Sequence, residues 1–326
     1  MGRLRAYLFF AAKVAISLAL LYVAVGFVNF AALRERLSRI DYLWIAAALI
    51  ALGSQLVLVS QRWQWIANSY GAPLNRRRAV LYTLIGSFFS QVLPSTIGGD
   101  AARIWLLARD AGKWKGAIFS VLIDRVIGMI WLAALVLVCL PWSLALIQDP
   151  LGRTALVLIG ATGVAAPVAL FVFSQLGRTP LGRWKLARHA ADIARIAWTV
   201  VASPQIGAAV AIISIAVHLM TVLVLWFCAR AIGSSFTLLD SVLLIPPVIL
   251  IAAVPISIAG WGVRESAMLA AFGYAGLPND DGLLISILFG ACSFVIGAFG
   301  GIAWSFSARR VRLASIREPS DHAREI

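Results

Sequence analysis

Long runs of apolar residues, separated by short polar and basic segments, cover most of this 326-residue chain. A helix needs roughly 20 apolar residues to cross a bilayer, and six runs reach that length. The six predicted spans are 7–30, 42–66, 116–140, 154–174, 206–229 and 283–306. A membrane β-barrel would instead show short segments of alternating apolar and polar residues. The pattern therefore predicts an all-α integral membrane protein, a polytopic helical bundle.

Two further apolar segments are interrupted by proline. Pro94 lies within 79–112, and Pro255 lies within 239–276. Because proline ends or kinks a helix, each segment is predicted to be a broken or re-entrant helix. Between the two halves, 178–200 mixes basic residues with tryptophan and leucine, which predicts an amphipathic helix on a membrane surface.

The composition agrees with a membrane protein and excludes a soluble enzyme, a disordered chain and a disulfide scaffold. Apolar residues make up 61% of the chain and charged residues 13%. Soluble proteins have roughly 45–50% and 25%. The net charge of +14 resides in short clusters between apolar runs, which is typical of cytoplasmic loops and not of a nucleic-acid-binding face. The cysteines Cys139, Cys228 and Cys292 lack metal-ligand spacing, so we expect no metal and no cofactor.

The distribution of basic residues predicts the topology. Placing most of them in the cytoplasm makes both termini cytoplasmic and makes 7–30 a retained signal-anchor helix. The segment 79–112 then begins and ends in the cytoplasm. Its second half is rich in charge, so a hairpin is favoured over two crossings. The segment 239–276 begins and ends outside, where a hairpin and two crossings both remain open.

The two interrupted segments resemble each other at an offset of 161 residues. The offset aligns Pro94 with Pro255 and Arg103 with Arg264. It also aligns Thr96 with Ser257, Gly99 with Gly260, Trp65 with Trp226 and Gly112 with Gly273. Since the preceding spans run in opposite directions, the repeats are predicted to be inverted, a pattern of secondary transporters. We expect one membrane domain over 1–310, with repeats at about 1–150 and 151–310, and a cytoplasmic tail at 311–326.

The first break combines turn residues with charge. Gly98 and Gly99 permit a tight turn, and Asp100 suits the positive end of the helix that follows. The free N–H groups there, together with Arg103, can hold a phosphate or another anionic group. Thr96 adds a hydroxyl to this candidate site. The alternative is structural, an Asp100–Arg103 pair that caps the helix.

The second break has similar chemistry. Glycines again interrupt the chain, a serine can donate to a bound oxygen, and a charged pair follows. The candidate substrate-binding residues are Ser257, Gly260, Trp261, Arg264 and Glu265, with helix breaks at Pro94, Pro255 and Gly262. The alternative is a structural hinge.

Ionisable residues also lie within the predicted spans, where they are functional candidates by default. Asp124 is expected to pair with Arg103 or Arg264, and Arg125 with Asp100 or Glu265. The alternative places both near the cytoplasmic boundary, where Arg125 extends to the surface. His218 is interpreted as a hydrogen-bonded structural histidine, with a proton relay as the alternative.

The sequence contains no nucleophile elbow, no phosphate-binding loop of the NTPase type and no metal cluster, so we expect no enzymatic activity. Its longest stretch outside the predicted membrane segments leaves no room for a soluble catalytic domain.

The motifs LPSTIGGDAARIWLL at 93–107, Asp124-Arg125, and GWGVRE at 260–265 resemble those of a known family. The chain is similar to the lysylphosphatidylglycerol synthase transmembrane, or flippase-like, family of bacterial membrane proteins. The similarity covers about 7–310. In the multiple-peptide-resistance proteins this domain resembles a lipid flippase and is fused to a soluble aminoacyltransferase, which this chain is expected to lack.

The resemblance implies that 94–103, 124–125 and 255–265 line a lipid path in the bacterial inner membrane. The expected activity is movement of an anionic or amphipathic lipid between leaflets, with membrane lipid as substrate and the bilayer as surroundings. Two alternatives are an ion-coupled small-solute transporter and a non-transporting partner of a lipid- or glycan-modifying enzyme. A homo-oligomer and a complex with a lipid-biosynthesis enzyme both remain open, and no nucleic acid is expected.

Overall fold

The computed structural model describes residues 40–69, 71–93, 98–175, 185–254 and 260–317. This part of the chain is all-helical, without strands. Its ten helices are α1 (Tyr42–Ser69), α2 (Arg76–Val92), α3 (Gly98–Ala111), α4 (Trp114–Leu146), α5 (Pro150–Gln175), α6 (Lys185–Ala202), α7 (Pro204–Ala231), α8 (Leu238–Ala252), α9 (Val263–Tyr274) and α10 (Asn279–Arg317). The predicted span 7–30 lies outside the described residues.

Five of these helices are long and apolar enough to cross a membrane, which confirms five of the six predicted spans. They are α1, α4, α5, α7 and the Asn279–Phe306 part of α10. Large apolar side chains remain exposed on them, for example Ile50, Leu158 and Phe294, as expected where lipid is the solvent. The helix α10 continues to Arg317 and so includes the first residues of the predicted tail 311–326.

The two interrupted segments each form a pair of short helices. In the first pair, α2 has 17 residues and α3 has 14. At about 1.5 Å per residue, α2 extends only about 26 Å, less than the roughly 30 Å hydrocarbon core. Arg78 near the start of α2 lies 3.2 Å from Asp110 near the end of α3, so the two helices are antiparallel. The second pair, α8 and α9, has 15 and 12 residues.

Local capping explains where several of these helices begin. The Asn75 side chain accepts a hydrogen bond from the Arg78 backbone N–H at 2.8 Å, which satisfies a free donor at the start of α2. Thr237 and Asp240 form a reciprocal capping box at the start of α8. Helix α9 starts after Gly262, whose φ of 84° favours glycine.

Helices α1 and α7 pack against each other along their length in antiparallel orientation. The Asp41 N–H donates to the Ala231 carbonyl at 3.0 Å at one end. The Gln55 amide donates to the Val217 carbonyl at 3.2 Å in the middle. Near the other end, the Arg62 guanidinium donates to the Ser214 hydroxyl. Hydrogen bonds therefore connect the two helices at one end, in the middle and near the other end.

Helix α6 corresponds to the predicted amphipathic segment 178–200. Ala191, Ala194 and Ala197 are buried, whereas Arg188 and Arg195 are exposed. The buried face packs mainly against α5 and also contacts α4 and α7. The helix therefore has the predicted two-faced character, and its apolar face covers other helices.

Candidate substrate-binding site

Asp124 is the centre of a buried ion network among α1, α3 and α4. Its side chain is 3% exposed and accepts from Arg62 Nε at 2.8 Å and from Arg103 Nη2 at 3.0 Å. Arg62 also donates to the Ser214 hydroxyl of α7 at 3.1 Å. Removing charges from water costs several kcal/mol per ion unless they are paired with good geometry. The carboxylate therefore holds both guanidinium groups in place.

Asp100, in the first turn of α3, carries the other part of the network. It contacts Arg125 of α4 in a short ion pair. Its other oxygen lies 3.6 Å from Arg103 Nη1, one turn further along α3. Asp100 is thus shared between two arginines. The cluster of Arg62, Asp100, Arg103, Asp124 and Arg125, called the charged cluster below, contains one positive charge in excess.

Two buried polar atoms beside this cluster lack a partner in the part of the protein that the structure describes. Among the described residues, Arg103 Nε and Thr83 Oγ1 have no hydrogen-bond partner. Both residues are 7% exposed. An unsatisfied buried polar group costs roughly 1–3 kcal/mol and is uncommon in native proteins. The Trp63 ring lies 4.1 Å from the Arg103 guanidinium carbon and packs against the cation without satisfying its N–H groups.

Arg103 and Thr83 both line a cavity of about 310 Å³. The cavity is bordered by α1, α2, α3, α4, α7 and α8. Its lining comprises Val59, Arg62, Thr83, Gly86, Ser87, Ser90, Gly99, Asp100, Arg103, Asp124, Arg125, Gly128, Met129, Leu132, His218, Ile249 and Ala253. We call this space the charged cavity.

A second space of about 240 Å³ adjoins the charged cavity. The two share Val59, Thr83, Ser87 and Ser90 in their linings. The remaining residues of the second lining are Leu52, Gln55, Leu56, Gln91, Ser293 and Ile296. All of its polar residues are uncharged, so we call it the neutral cavity.

Glycine brings α2 and α3 close enough to form the site. A Cβ atom on Gly99 would lie 2.1 Å from Ser90 Oγ and 2.5 Å from the Gly86 carbonyl oxygen. A Cβ atom on Gly86 would lie 3.1 Å from Cγ of Arg103. The Gly99 contacts are too close for any other residue without movement of the helices, and the Gly86 contact would require the Arg103 side chain to shift. The glycines therefore fix the depth to which Arg103 reaches into the bundle.

The second break holds a separate and closed ion pair. Arg264 Nη2 donates to Glu265 Oε1 at 2.7 Å, and Arg264 Nε donates to the Ser286 hydroxyl at 2.8 Å. The other Glu265 oxygen accepts from the Gly262 N–H at 2.6 Å. Trp261 lies 5.3 Å from the guanidinium carbon. None of these residues lines the charged cavity, so Asp124 pairs with Arg103 instead of Arg264, and Arg125 with Asp100 instead of Glu265.

The predicted site residues thus divide into four groups. Gly99, Asp100, Arg103, Asp124 and Arg125 line the charged cavity together. Gly260, Trp261, Gly262, Arg264 and Glu265 lie at the second break, and buried Gly98 starts α3 against Leu93. Pro94, Thr96, Pro255 and Ser257 lie outside the described residues.

Among the lining residues that sequence reasoning missed, Arg62 and Thr83 matter most for the charge and hydrogen bonding of the site. Arg62 is an arginine inside the predicted span 42–66, so the rule applied to Asp124 should also have selected it. Thr83 carries no such signal, because an isolated threonine in an apolar segment is unremarkable. His218, for which the sequence favours a structural role, has its Nε2 2.9 Å from the Gly128 carbonyl oxygen at the edge of the charged cavity.

Comparison with known proteins identifies the family. The family model for the lysylphosphatidylglycerol synthase TM region matches residues 10–301. The chain belongs to this family. A comparison with curated proteins gives no match.

The family match confirms the predicted resemblance to this family. With the five long apolar helices, it makes the chain a multi-pass membrane protein of this family. Among the described residues, no group of three or more histidine, cysteine, aspartate or glutamate side chains could hold a metal ion.

Proposed function

We propose that the protein moves an anionic or amphipathic lipid between the leaflets of the bacterial inner membrane, with the charged cavity as its head-group site. The observation that carries this proposal is the pair of unsatisfied atoms, Arg103 Nε and Thr83 Oγ1, beside a cavity within the helical bundle. Since Arg103 and Thr83 both line this cavity, a ligand oxygen held there would lie beside both side chains. A lipid phosphate offers such oxygens and is a strong acceptor for arginine.

The charge balance of the cluster favours an anion. Three arginines face two aspartates, so a bound phosphate would neutralise the remaining positive charge. A cationic group would add to that charge in a medium of low dielectric constant, where like charges repel strongly. Asp100 and Asp124 hold the arginines in position before a ligand binds, which lowers the cost of ordering them.

The packing of α1 and α7 supports inverted repeats. These helices correspond to each other at an offset of about 161 residues, and they run antiparallel in direct contact. Contacts of the other helices correspond in the same way. Helix α2 packs on α10 as α8 packs on α4, and α3 packs on α4 as α9 packs on α10.

The ends of the two hairpins support entry from opposite faces. The first hairpin, α2 and α3, begins and ends near the end of α1, where Lys113 Nζ donates to the Gly71 carbonyl at 3.0 Å. The second hairpin, α8 and α9, begins and ends near the end of α7, where the Phe236 and Phe272 rings are 4.7 Å apart. Because α1 and α7 are antiparallel, their ends lie on opposite sides of the bundle.

We assign the face with Lys113 to the cytoplasm, because it carries the basic clusters. With the predicted span 7–30, both termini then lie in the cytoplasm. The first break serves the cytoplasmic gate around the charged cavity. The second serves the outer gate, with Arg264 and Glu265 closed on each other. If the first break closed while the second opened, and the reverse, the site would be accessible from one face of the membrane at a time. The activity we propose is transport, not catalysis.

The test is reconstitution into liposomes that contain lipids with fluorescent head groups. A membrane-impermeant quencher added outside bleaches only the outer leaflet, so translocation appears as loss of protection of the inner pool. We expect the inner-leaflet pool to lose its protection faster with the protein than in protein-free liposomes. The loss should be fastest for lipids whose head group contains a phosphate. Equal protection with and without folded protein, for every lipid tested, would contradict it.

A further inference from the structure

We infer that the transported lipid carries a hydroxyl-rich, uncharged group beyond its phosphate, such as a polyol or a sugar, and that the neutral cavity receives this group. This inference rests on the proposed function, because it takes the charged cavity as the phosphate site. It adds the chemical class of the head group, which the charged cluster alone does not specify.

The two cavities are placed for a head group with two chemically different parts. They share Thr83, Ser87 and Ser90 of α2 as a common border. Thr83 Oγ1 is one of the two unsatisfied atoms, so a phosphate near Arg103 would lie beside the passage to the neutral cavity. A substituent on that phosphate would extend into the adjoining space.

Three of the six polar residues described in the lining of the neutral cavity are available as acceptors. Ser87 Oγ donates to the Thr83 carbonyl at 3.0 Å, and Ser293 Oγ donates to the Phe289 carbonyl at 2.8 Å. Gln55 Nε2 donates to Thr221 Oγ1 at 2.6 Å. Each group has thus used its donor within the protein. The lone pairs of the two hydroxyls and of the Gln55 carbonyl remain to accept hydrogen bonds from a ligand.

The charges around the neutral cavity favour a hydroxyl donor over an ammonium donor. Among the described residues, the lining of the neutral cavity contains no carboxylate that would pair with an ammonium group. The adjoining charged cluster has an excess positive charge, which would repel one. Hydroxyl groups donate equally well without this penalty. The apolar residues Leu52, Leu56 and Ile296 fit the C–H faces of a polyol or a sugar ring.

The experiment compares four dihexanoyl lipids that differ only in the head group: phosphatidic acid, phosphatidylethanolamine, phosphatidylglycerol and phosphatidylinositol. Their binding to the full chain in detergent is measured by calorimetry at one fixed salt concentration. We expect phosphatidylinositol and phosphatidylglycerol to bind about five- to tenfold more tightly than phosphatidic acid, the gain of one or two net hydrogen bonds. Phosphatidylethanolamine is expected to bind most weakly.

Ser293→Ala tests the neutral cavity, and Ser305→Ala is its matched control. Both serines lie on α10 and donate to the carbonyl one turn earlier, but Ser305 is exposed and outside both cavities. Ser293→Ala should lower the ratio of phosphatidylinositol affinity to phosphatidic acid affinity about three- to fivefold, the loss of one net hydrogen bond. Ser305→Ala should leave the ratio at the wild-type value.

The outcomes distinguish this inference from the proposed function. Equal affinities for all three anionic lipids, or an unchanged ratio in Ser293→Ala, would overturn the hydroxyl-rich head group and leave the phosphate site standing. Tightest binding of phosphatidylethanolamine would also overturn it. If the folded protein binds none of the phosphate lipids, both the inference and the proposed function fail.

Discussion

At the residue scale, the charged cluster combines stability with an incomplete set of partners. Asp124 satisfies Arg62 and Arg103 together, yet Arg103 Nε remains without a partner among the described residues. Breaking a buried ion pair by removing one partner costs roughly 3–5 kcal/mol, because the other charge stays buried alone. We therefore expect substitution of Asp124 to lower the stability of the fold.

Asp124→Asn should accordingly destabilise the protein by about 3–5 kcal/mol. Thermal unfolding in detergent measures the change. Asp280→Asn is the control, because Asp280 lies in the first turn of α10 outside the cluster and should cost at most about 1 kcal/mol. An unfolding midpoint for Asp124→Asn equal to that of the control would show that the ion network does not stabilise the fold.

The sequence predicts which charges are buried better than it predicts how they pair. Asp100, Arg103 and Asp124 stand out because charges are rare in apolar segments, and all three line one cavity. The choice of Arg103 over Arg264 as the partner of Asp124 depends on how the helices pack. The role of Thr83 depends on which face of α2 turns inward, and neither can be read from spacing alone.

At the element scale, the length of an apolar run predicts each long helix. Helix caps and glycines determine where the helices begin and end and how closely they pack. The run 42–66 became α1 over Tyr42–Ser69, because hydropathy does not define where a helix ends. The packing of α10 on α2 depends on glycine. A Cβ atom on Gly300 would lie 2.0 Å from the Leu84 carbonyl oxygen. Such close approach of small residues is typical of membrane helix interfaces.

Gly300→Ala should separate α10 from α2 and destabilise the bundle by about 1–3 kcal/mol, the usual cost of overpacking. The midpoint of thermal unfolding in detergent measures the loss. Gly53→Ala on α1 is the matched control, because its Cβ atom would have no neighbour within 4 Å. If both variants unfold at the wild-type midpoint, close contact at Gly300 does not hold these helices together.

At the scale of the whole molecule, the proposed transport requires two hairpins that open to opposite faces. The offset of 161 residues predicts the correspondence of the elements, and the antiparallel contact of α1 and α7 agrees with inversion. The sequence alone left open whether 239–276 is a hairpin or two crossings. The short lengths of α8 and α9 favour a hairpin.

Labelling of single cysteines tests this topology. Pro73→Cys and Lys115→Cys flank the first hairpin, and Ser235→Cys and Pro278→Cys flank the second, all at exposed positions. On intact cells, an impermeant maleimide should label only positions 235 and 278, and after permeabilisation all four. The wild-type chain is the background control, since its three cysteines are buried. Labelling of position 73 or 115 alone in intact cells would mean that the segment between them crosses once.

The central claim is that lipid moves through the charged cavity, and the translocation rates of Arg103→Gln and Arg109→Gln in liposomes test it most directly. Both residues are arginines of α3, but Arg109 is exposed and packs on Trp105 outside the cavity. Loss of a charged hydrogen bond to phosphate should slow Arg103→Gln by more than about tenfold. Arg109→Gln should keep the wild-type rate. Equal rates for the two variants, at equal amounts of folded protein, would contradict the claim.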